Sequence, residues 1–380
     1  MSAESLRILR VAQSVYPEKV GGVGLHVSSM SRVQAELGHD VTVLTSDNGD
    51  HSLTREIERD GYRVCRHREL ARPVGNSLTP GLLRTLRREI PQHDIVHVHS
   101  HLYSMSNLAA AVSRVSDAPM VMTNHGVWSD TAPRWLLHGF NPTVGRFTWG
   151  TAERVFCYTE TDKQRLRRWG VQAPVSVIPN GVDTELFAPN PEIERRPQIL
   201  FVARLKYNKG AQFLLDAYAG IANEFPEHEI VIVGDGPMMN DLVSRTEKLG
   251  LESRVTFTGE VTNDKLPAFY NRSEVFVLPS LNEGLPRTVL EAMACETPVI
   301  TSDLEQLVPV VDGAGYTVPT RSITALRDHL DRLLSDQALR REVGKCGREK
   351  VVANHAWSNT VTHTTKQCHA ILEKQIQSST

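Results

Sequence analysis

"NEGLPRTVLEAMACETPVI", residues 282–300, sets two acids, Glu283 and Glu291, around a glycine, a proline and a short apolar run. It reads as a loop, a helix and the start of a buried strand. Pro286 suits the first turn of that helix, where its missing N–H costs nothing. The free N–H groups of Arg287, Thr288 and Val289 would then make an anion site at the helix N-terminus. Glu291 falls inside the helix, in the apolar company of "VLEAMA". A carboxylate there is costly to bury unless it accepts strong hydrogen bonds, and a sugar diol is a good bidentate donor. Glu283 lies before the helix, on the loop that follows the strand "SEVFVLPS". Eight helical positions span about 12 Å and rotate well off one face. A glycosidase pair would flank one bond at about 5–9.5 Å. The two acids therefore read as holding different parts of one long ligand, not as a hydrolytic pair.

Working outward, short β-branched runs alternate with helical segments along the whole chain. "LRILRVA", "HDVTVLT", "DIVHVHS", "APMVMTN" and "ERVFCYT" read as buried parallel strands, with helices over 22–37, 79–89, 103–115 and 160–168. The rhythm breaks in the Pro-rich, charged "LFAPNPEIERRPQ" and restarts with "QILFVAR", "HEIVIVG", "RVTFTG", "SEVFVLP" and "TPVITS". Two βαβ series predict an α/β protein with two Rossmann-like domains facing across a cleft. The expected boundaries are 1–185, a linker at 186–196, 197–355, and a final helix over 356–380 that crosses back to the N-terminal domain.

Composition bounds the partners. A chain of 380 residues with 40% hydrophobic and 23% charged residues holds enough apolar material for two cores. Its net charge of −2 implies no general attraction to nucleic acid. Five scattered cysteines without a CxxC pair suggest reduced thiols, not a disulfide framework or a zinc site. The opening "MSAESLRILRVAQSV" has no long apolar segment, and no stretch approaches the ~18 apolar residues of a membrane span. The expectation is a cytoplasmic protein.

Three further motifs bear on chemistry. In "YPEKVGGVGLHVSSM", Gly21, Gly22 and Gly24 precede a helix, so their backbone suits either an anion or simply a tight turn; the spacing is not GxGxxG. In "FVARLKYNKGAQF", Arg204 leaves a strand end and Lys209 stands just before a helix. A bidentate guanidinium and a point-charge ammonium there suit a diphosphate, although two solvated surface cations would read the same way. His97, His99 and His101 alternate in "HVHSH", which could place three imidazoles on one strand face. No cysteine or extra acid joins them, and no metal is expected.

With these motifs in place the chain resembles the retaining GT-B glycosyltransferases of family 4. The resemblance runs through "GGVG", "DIVHVHS", "TNHG", "VIPNGVDTELF", "ARLKYNKG", "VGDGP" and the opening stretch, which carries the E-x7-E motif. It implies that the backbone of Gly22 meets the donor diphosphate and that His125 reaches the transferred sugar. Arg204 and Lys209 would bind the diphosphate, and Thr288 and Val289 would hold the phosphates at the helix N-terminus. Glu283 would lie beside the donor sugar and Glu291 on the nucleotide ribose, while Asp183 of "NGVD" is structural. The chain departs from the family in "LKYN" and in "SDLEQLVPVV", where a Gly-rich segment leading to Pro-Glu is usual.

What this implies is transfer of a sugar from a nucleoside-diphosphate-sugar donor to a hydroxyl on a saccharide or lipid-linked acceptor. No cofactor or metal is expected, since the donor is a substrate and Arg, Lys and helix amides offset the leaving charge. The alternatives are an inactive, partner-binding homologue and a GT-B sugar-nucleotide epimerase. Four of the five tryptophans (Trp128, Trp135, Trp149 and Trp169) lie in the first half, three of them within "HGVWSDTAPRWLLHGFNPTVGRFTWG", near "QRLRRWG". Aromatic side chains beside arginines suit an anionic membrane surface. Peripheral docking at the inner face of the cytoplasmic membrane is a further expectation, set against an ordinary aromatic core.

Overall fold

The computed structural model describes residues 5–18, 21–128 and 131–379. The chain forms two compact units, Met1–Asn180 with Trp357–Thr380, and Gly181–Ala356. Lys19 and Val20 of the glycine-rich loop, and Ser129 and Asp130 of the tryptophan-rich segment, lie outside the described residues.

The first unit holds β1 (Arg7–Val11), β2 (Asp40–Ser46), β3 (Glu56–Arg59), β4 (Tyr62–His67), β5 (Ile95–His99), β6 (Met120–Thr123), β7 (Arg154–Cys157) and β8 (Val175–Val177). They form one sheet in the order β3-β4-β2-β1-β5-β6-β7-β8. All neighbours are parallel except β3 on β4. That hairpin turns at Asp60-Gly61, both at positive φ, which is the preferred chemistry for a two-residue turn. Successive residues of the strands feed opposite layers: Leu9, Val11, Val96 and Val98 enter one core, while Ile8, Val41, Val43 and Val64 enter the other. The helix Trp357–Ser379 completes the second layer, with Trp357 and Val361 against Met30 and Val33, and Cys368 and Ile371 beneath the strands.

The second unit holds β9 (Arg196–Val202), β10 (Glu229–Val233), β11 (Val255–Gly259), β12 (Ser273–Leu278), β13 (Val299–Ser302) and β14 (Tyr316–Val318). All are parallel, in the order β11-β10-β9-β12-β13-β14. The expected linker at 186–196 needs correction, because the division falls at Asn180/Gly181. Phe187 is fully buried against Tyr270, and Asn271 bonds to Ala188 and Asn190, so this stretch is packed into the second unit.

In each sheet the chain reverses direction of travel between two adjacent parallel strands, β1 and β5 in one and β9 and β12 in the other. Loops leaving the C-terminal ends of such a pair diverge and open a crevice, the usual ligand position in this architecture.

The tryptophan-rich segment is helical, as Arg134–Phe140, a wider turn Asn141–Gly145, and Arg146–Thr151. It divides its aromatics. Trp149 is a core residue at 1% exposure, whereas Trp135 is 75% exposed. Trp128, Leu136, Val144 and Phe147 are exposed too, with Arg134 over the Trp128 ring and Arg114 over Phe147.

Candidate active site

In the second unit, β9 and β12 are neighbours, so the loops bearing Arg204, Lys209 and Glu283 leave one end of the sheet side by side. Leu281 N–H donates to the Asn208 carbonyl at 2.8 Å and locks the two loops together. The approach depends on Gly210, at φ 82°, where a Cβ would lie 2.2 Å from the Pro279 carbonyl oxygen. Lys209 Nζ consequently reaches both oxygens of Glu283, at 2.6 and 2.7 Å. Ser280 Oγ donates to the same carboxylate at 2.8 Å, and Gln306 Nε2 to the Glu283 main-chain oxygen at 2.6 Å. The Glu283 side chain is 8% exposed and that of Lys209 is 23% exposed, so the pair is sheltered but reachable.

Arg204 is exposed at the start of the same loop. The "VGDGP" motif braces it from behind: Leu205 N–H donates to Asp235 O, and Met238 N–H to Leu205 O. A Cβ at Gly234 would come within 2.0 Å of the Ala203 oxygen, which explains the glycine there.

The helix Arg287–Ala294 begins directly after Pro286 and carries no side-chain cap. One expectation changes here. Val289 N–H donates to the Pro286 carbonyl at 3.3 Å, so this amide closes the first turn. Helix geometry leaves the amides of Arg287 and Thr288 facing outward for an anion.

Glu291 is 2% exposed. Its Oε2 accepts from Tyr270 Oη at 3.0 Å, and its Oε1 faces Arg287 Nη2 at 3.4 Å. The strong hydrogen bond expected from a sugar diol is thus supplied in part by the protein itself. Burial pushes the carboxyl above its usual range, while Arg287 and the Tyr270 bond pull it back. Asp183, read as structural, accepts from the N–H groups of Glu185 and Leu186 and shapes the turn.

In the first unit Gly22 opens the helix Gly22–Glu36, and a Cβ at Gly21 or Gly22 would meet no atom of the described residues within 4 Å. The backbone here is open to a close-approaching ligand.

Of the three histidines of "HVHSH", His97 and His99 share a strand face, stacked at 4.6 Å, while His101 leaves it and lies against Trp149. His97 pairs with Thr123 and with the buried Arg10, and His101 with Asn124 and Asn141. Only His99 turns to His125, Nδ1 to Nε2 at 3.1 Å. Tyr158 Oη lies 2.8 Å from His125 Nδ1 and 3.2 Å from His26 Nδ1, which is also 3.1 Å from Asn180 Oδ1. The amide oxygen only accepts, so His26 Nδ1 carries its proton. Tyr158 then donates to His125 Nδ1, and His125 donates from Nε2 to His99 Nδ1. Burial lowers His125 to about 3 and His99 well below its usual value, so both rings are neutral. Both nitrogens of His125 are engaged in this chain, and a sugar hydroxyl must replace one of these bonds to reach it.

Among the described residues, His26, His99 and His125 are the one group whose ligand atoms converge closely enough to hold a metal ion. Within this group His99 Nδ1 and His125 Nε2 bond to each other, Tyr158 Oη lies between His125 Nδ1 and His26 Nδ1, and the Arg10 guanidinium lies behind His97.

Comparison with known proteins bears on the family and the fold. Residues 20–186 match the family described as Glycosyltransferase Family 4, and residues 182–350 match Glycosyl transferases group 1. The chain belongs to this glycosyltransferase family and has its GT-B fold of two parallel-sheet α/β domains. A glycogen synthase of Mycobacterium tuberculosis is 26% identical over 392 residues, covering 94% of this chain and 93% of its own. From the same organism, a GDP-mannose-dependent alpha-(1-6)-phosphatidylinositol monomannoside mannosyltransferase is 28% identical over 376 residues, 92% and 95% of the two chains. The sucrose-phosphate synthase of Thermosynechococcus elongatus superposes with a TM-score of 0.78 at 23% identity, covering 99% of this chain and 100% of its own.

Sequence reasoning did not find Tyr270, Tyr158, His26, Ser280 or Gln306 as partners in these sites. His26 and Asn180 do stand within motifs that it singled out, "GGVGLHV" and "IPNGVD". Tyr270 carries no local signal, since only the packing of its helix on the sheet brings it to Glu291.

Proposed function

We propose that the protein is a retaining hexosyltransferase that moves a sugar from a nucleoside-diphosphate donor to a hydroxyl acceptor in glycolipid or polysaccharide assembly. The observation that carries this reading is Lys209 held against Glu283 where two strand ends diverge, beside an uncapped helix start. An ammonium on a carboxylate can turn to a phosphate, and the carboxylate is then free for a sugar hydroxyl. In the reaction the bond between the anomeric carbon and the diphosphate oxygen breaks. The acceptor oxygen bonds to the same face of that carbon, and its proton passes to the departing phosphate oxygen. Arg204, Lys209 and the amides of Arg287 and Thr288 stabilise the charge that develops on the diphosphate. The family resemblance assigns Gly22 to the donor diphosphate and His125 to the transferred sugar, and Glu291 accepts from the ribose. This set supplies its positive charge from side chains and amides, so turnover should persist in the presence of a chelator. NMR of the product tests the reading: the new linkage keeps the donor's anomeric configuration. An inverted linkage, or a C-epimer of the donor without any glycoside, would refute it.

A second element of the reading concerns the acceptor. The exposed Trp135, Leu136, Val144 and Phe147, with Arg134 and Arg146 on the same helices and Arg114 over Phe147, favour a lipid-linked acceptor met at an anionic membrane surface. The mannosyltransferase relative, whose name gives a phosphatidylinositol mannoside as acceptor, supports the same direction. No described helix is long and apolar enough to cross a membrane, so the contact would be peripheral. Sedimentation with anionic vesicles at low salt should carry the protein down, and high salt should release it. Binding that is absent at low salt, or indifferent to lipid charge, refutes the docking.

A further inference from the structure

Glu291 is a poor ribose ligand unless something keeps it charged. It is 2% exposed, and Arg287, one turn before it on the same helix, faces it. Arg287 is itself 9% exposed, and its Nε and Nη1 have no partner among the described residues. Among the described residues its one ion pair is with Glu291, at 3.4 Å. A buried guanidinium with two unused donors and a single carboxylate in reach binds that carboxylate's charge more than its geometry. Across the carboxylate, Tyr270 donates to Oε2 and leaves Oε1 with a lone pair to offer.

We propose that Arg287 is a positioning residue for nucleotide binding: it holds Glu291 in the ionised form, with Oε1 directed to the ribose. This rests on the reading of Glu291 as the ribose acceptor. The groups that face Glu291 are few. Tyr270 comes from the helix Leu266–Arg272, and burial keeps its hydroxyl protonated and donating. Arg287 and Cys295 come from the carboxylate's own segment, and burial holds the Cys295 thiol neutral, pushed up to about 12. Arg348 and Arg195 act on Cys295 from further off, and their donors serve the carbonyls of Ala294, Cys295 and Glu296. Arg287 is therefore the cation that sets the charge of Glu291.

The sign follows. With Arg287 neutralised, burial dominates, Glu291 protonates at higher pH, and the ribose loses its charged acceptor as the medium is acidified. The test is calorimetry of UDP, GDP and ADP binding between pH 5.5 and 8.5, using the nucleotide that wild type binds. Each affinity is read as a ratio to wild type at the same pH, which cancels the titration of the ligand. For Arg287→Met and Arg287→Gln the ratio should fall by roughly tenfold from pH 8 to pH 6, as the buried carboxylate takes up its proton. Arg287→Lys should flatten the profile again. A constant ratio in the folded neutral variants assigns Arg287 to packing and overturns the proposal. If neither neutral variant folds, Tyr270→Phe decides, because losing that donor must move the profile in the same direction; a constant ratio there overturns it as well. Glu291→Gln separates the two levels. Weak, pH-independent binding upholds the ribose reading whatever Arg287 does, and wild-type binding by Glu291→Gln removes that reading together with this one.

Discussion

Replacing Lys209 with methionine should damage stability and turnover for two separable reasons. Lys209 Nζ lies 2.6 and 2.7 Å from the oxygens of Glu283, whose side chain is only 8% exposed. Removing the ammonium leaves a sheltered carboxylate with Ser280 as its side-chain donor. Breaking a fully buried pair costs about 3–5 kcal/mol. With Lys209 at 23% exposure, solvent already screens part of the interaction, so a loss of about 1–3 kcal/mol is expected. Turnover should fall by about 10²–10³, the scale of one lost charge partner in the transition state. Adding Glu283→Gln distinguishes the two losses. The double variant has no uncompensated charge and should recover most of the lost stability, while turnover stays low. Urea unfolding with a two-state fit and steady-state turnover on the same four proteins complete the cycle. Near-normal turnover of Lys209→Met would refute the diphosphate role, and a double variant no more stable than the single would refute the buried-charge argument.

Arg204 is exposed, so Arg204→Ala should lower turnover by about 10²-fold and leave the urea midpoint almost unchanged. Stability should decline with acid in the histidine range. His101 is lowered to about 4 and His125 to about 3, so below about 6.5 the unfolded chain binds protons that the folded one refuses. Each such ring then contributes about 1.4 kcal/mol of lost stability per pH unit between 6.5 and its folded value. Replacing His101 with glutamine should flatten the pH dependence of unfolding by about one proton, and an unchanged slope would contradict its neutral burial. Trp135→Ser should reduce sedimentation with anionic vesicles without altering the thermal midpoint, because the ring is 75% exposed.

Much of the fold was legible in the chain because its signals are local. The runs "LRILRVA", "DIVHVHS" and "HEIVIVG" form buried parallel strands, and the helices at 22–36 and 160–168 begin where glycine and a Thr159 cap place them. The hairpin at Asp60-Gly61 was legible too and was passed over, since its strands are short and one, β3, sits at the sheet edge. The three-residue strands β8 and β14 are too short to show a period, and only pairing with β7 and β13 makes them strands. The packed stretch 186–196 read as a linker because prolines and charges mask its buried aromatic, Phe187.

The sequence by itself determined the residue types of the site and their order: the Arg204 and Lys209 pair, the two acids with seven residues between them, and the glycines at the loop turns. Those follow from local chemistry, because strand ends, helix starts and φ-demanding turns are set within a few residues. Only the tertiary structure decided which groups meet. Lys209 reaches Glu283 because β9 and β12 are neighbours, though 74 residues separate the two side chains. Glu291 is shared with Tyr270, and His125 is enclosed by His99 and Tyr158, through sheet order and helix packing that no local period records. Proximity across such separations arises when two hydrophobic cores close, and the charges are then held where burial makes their pairing strong.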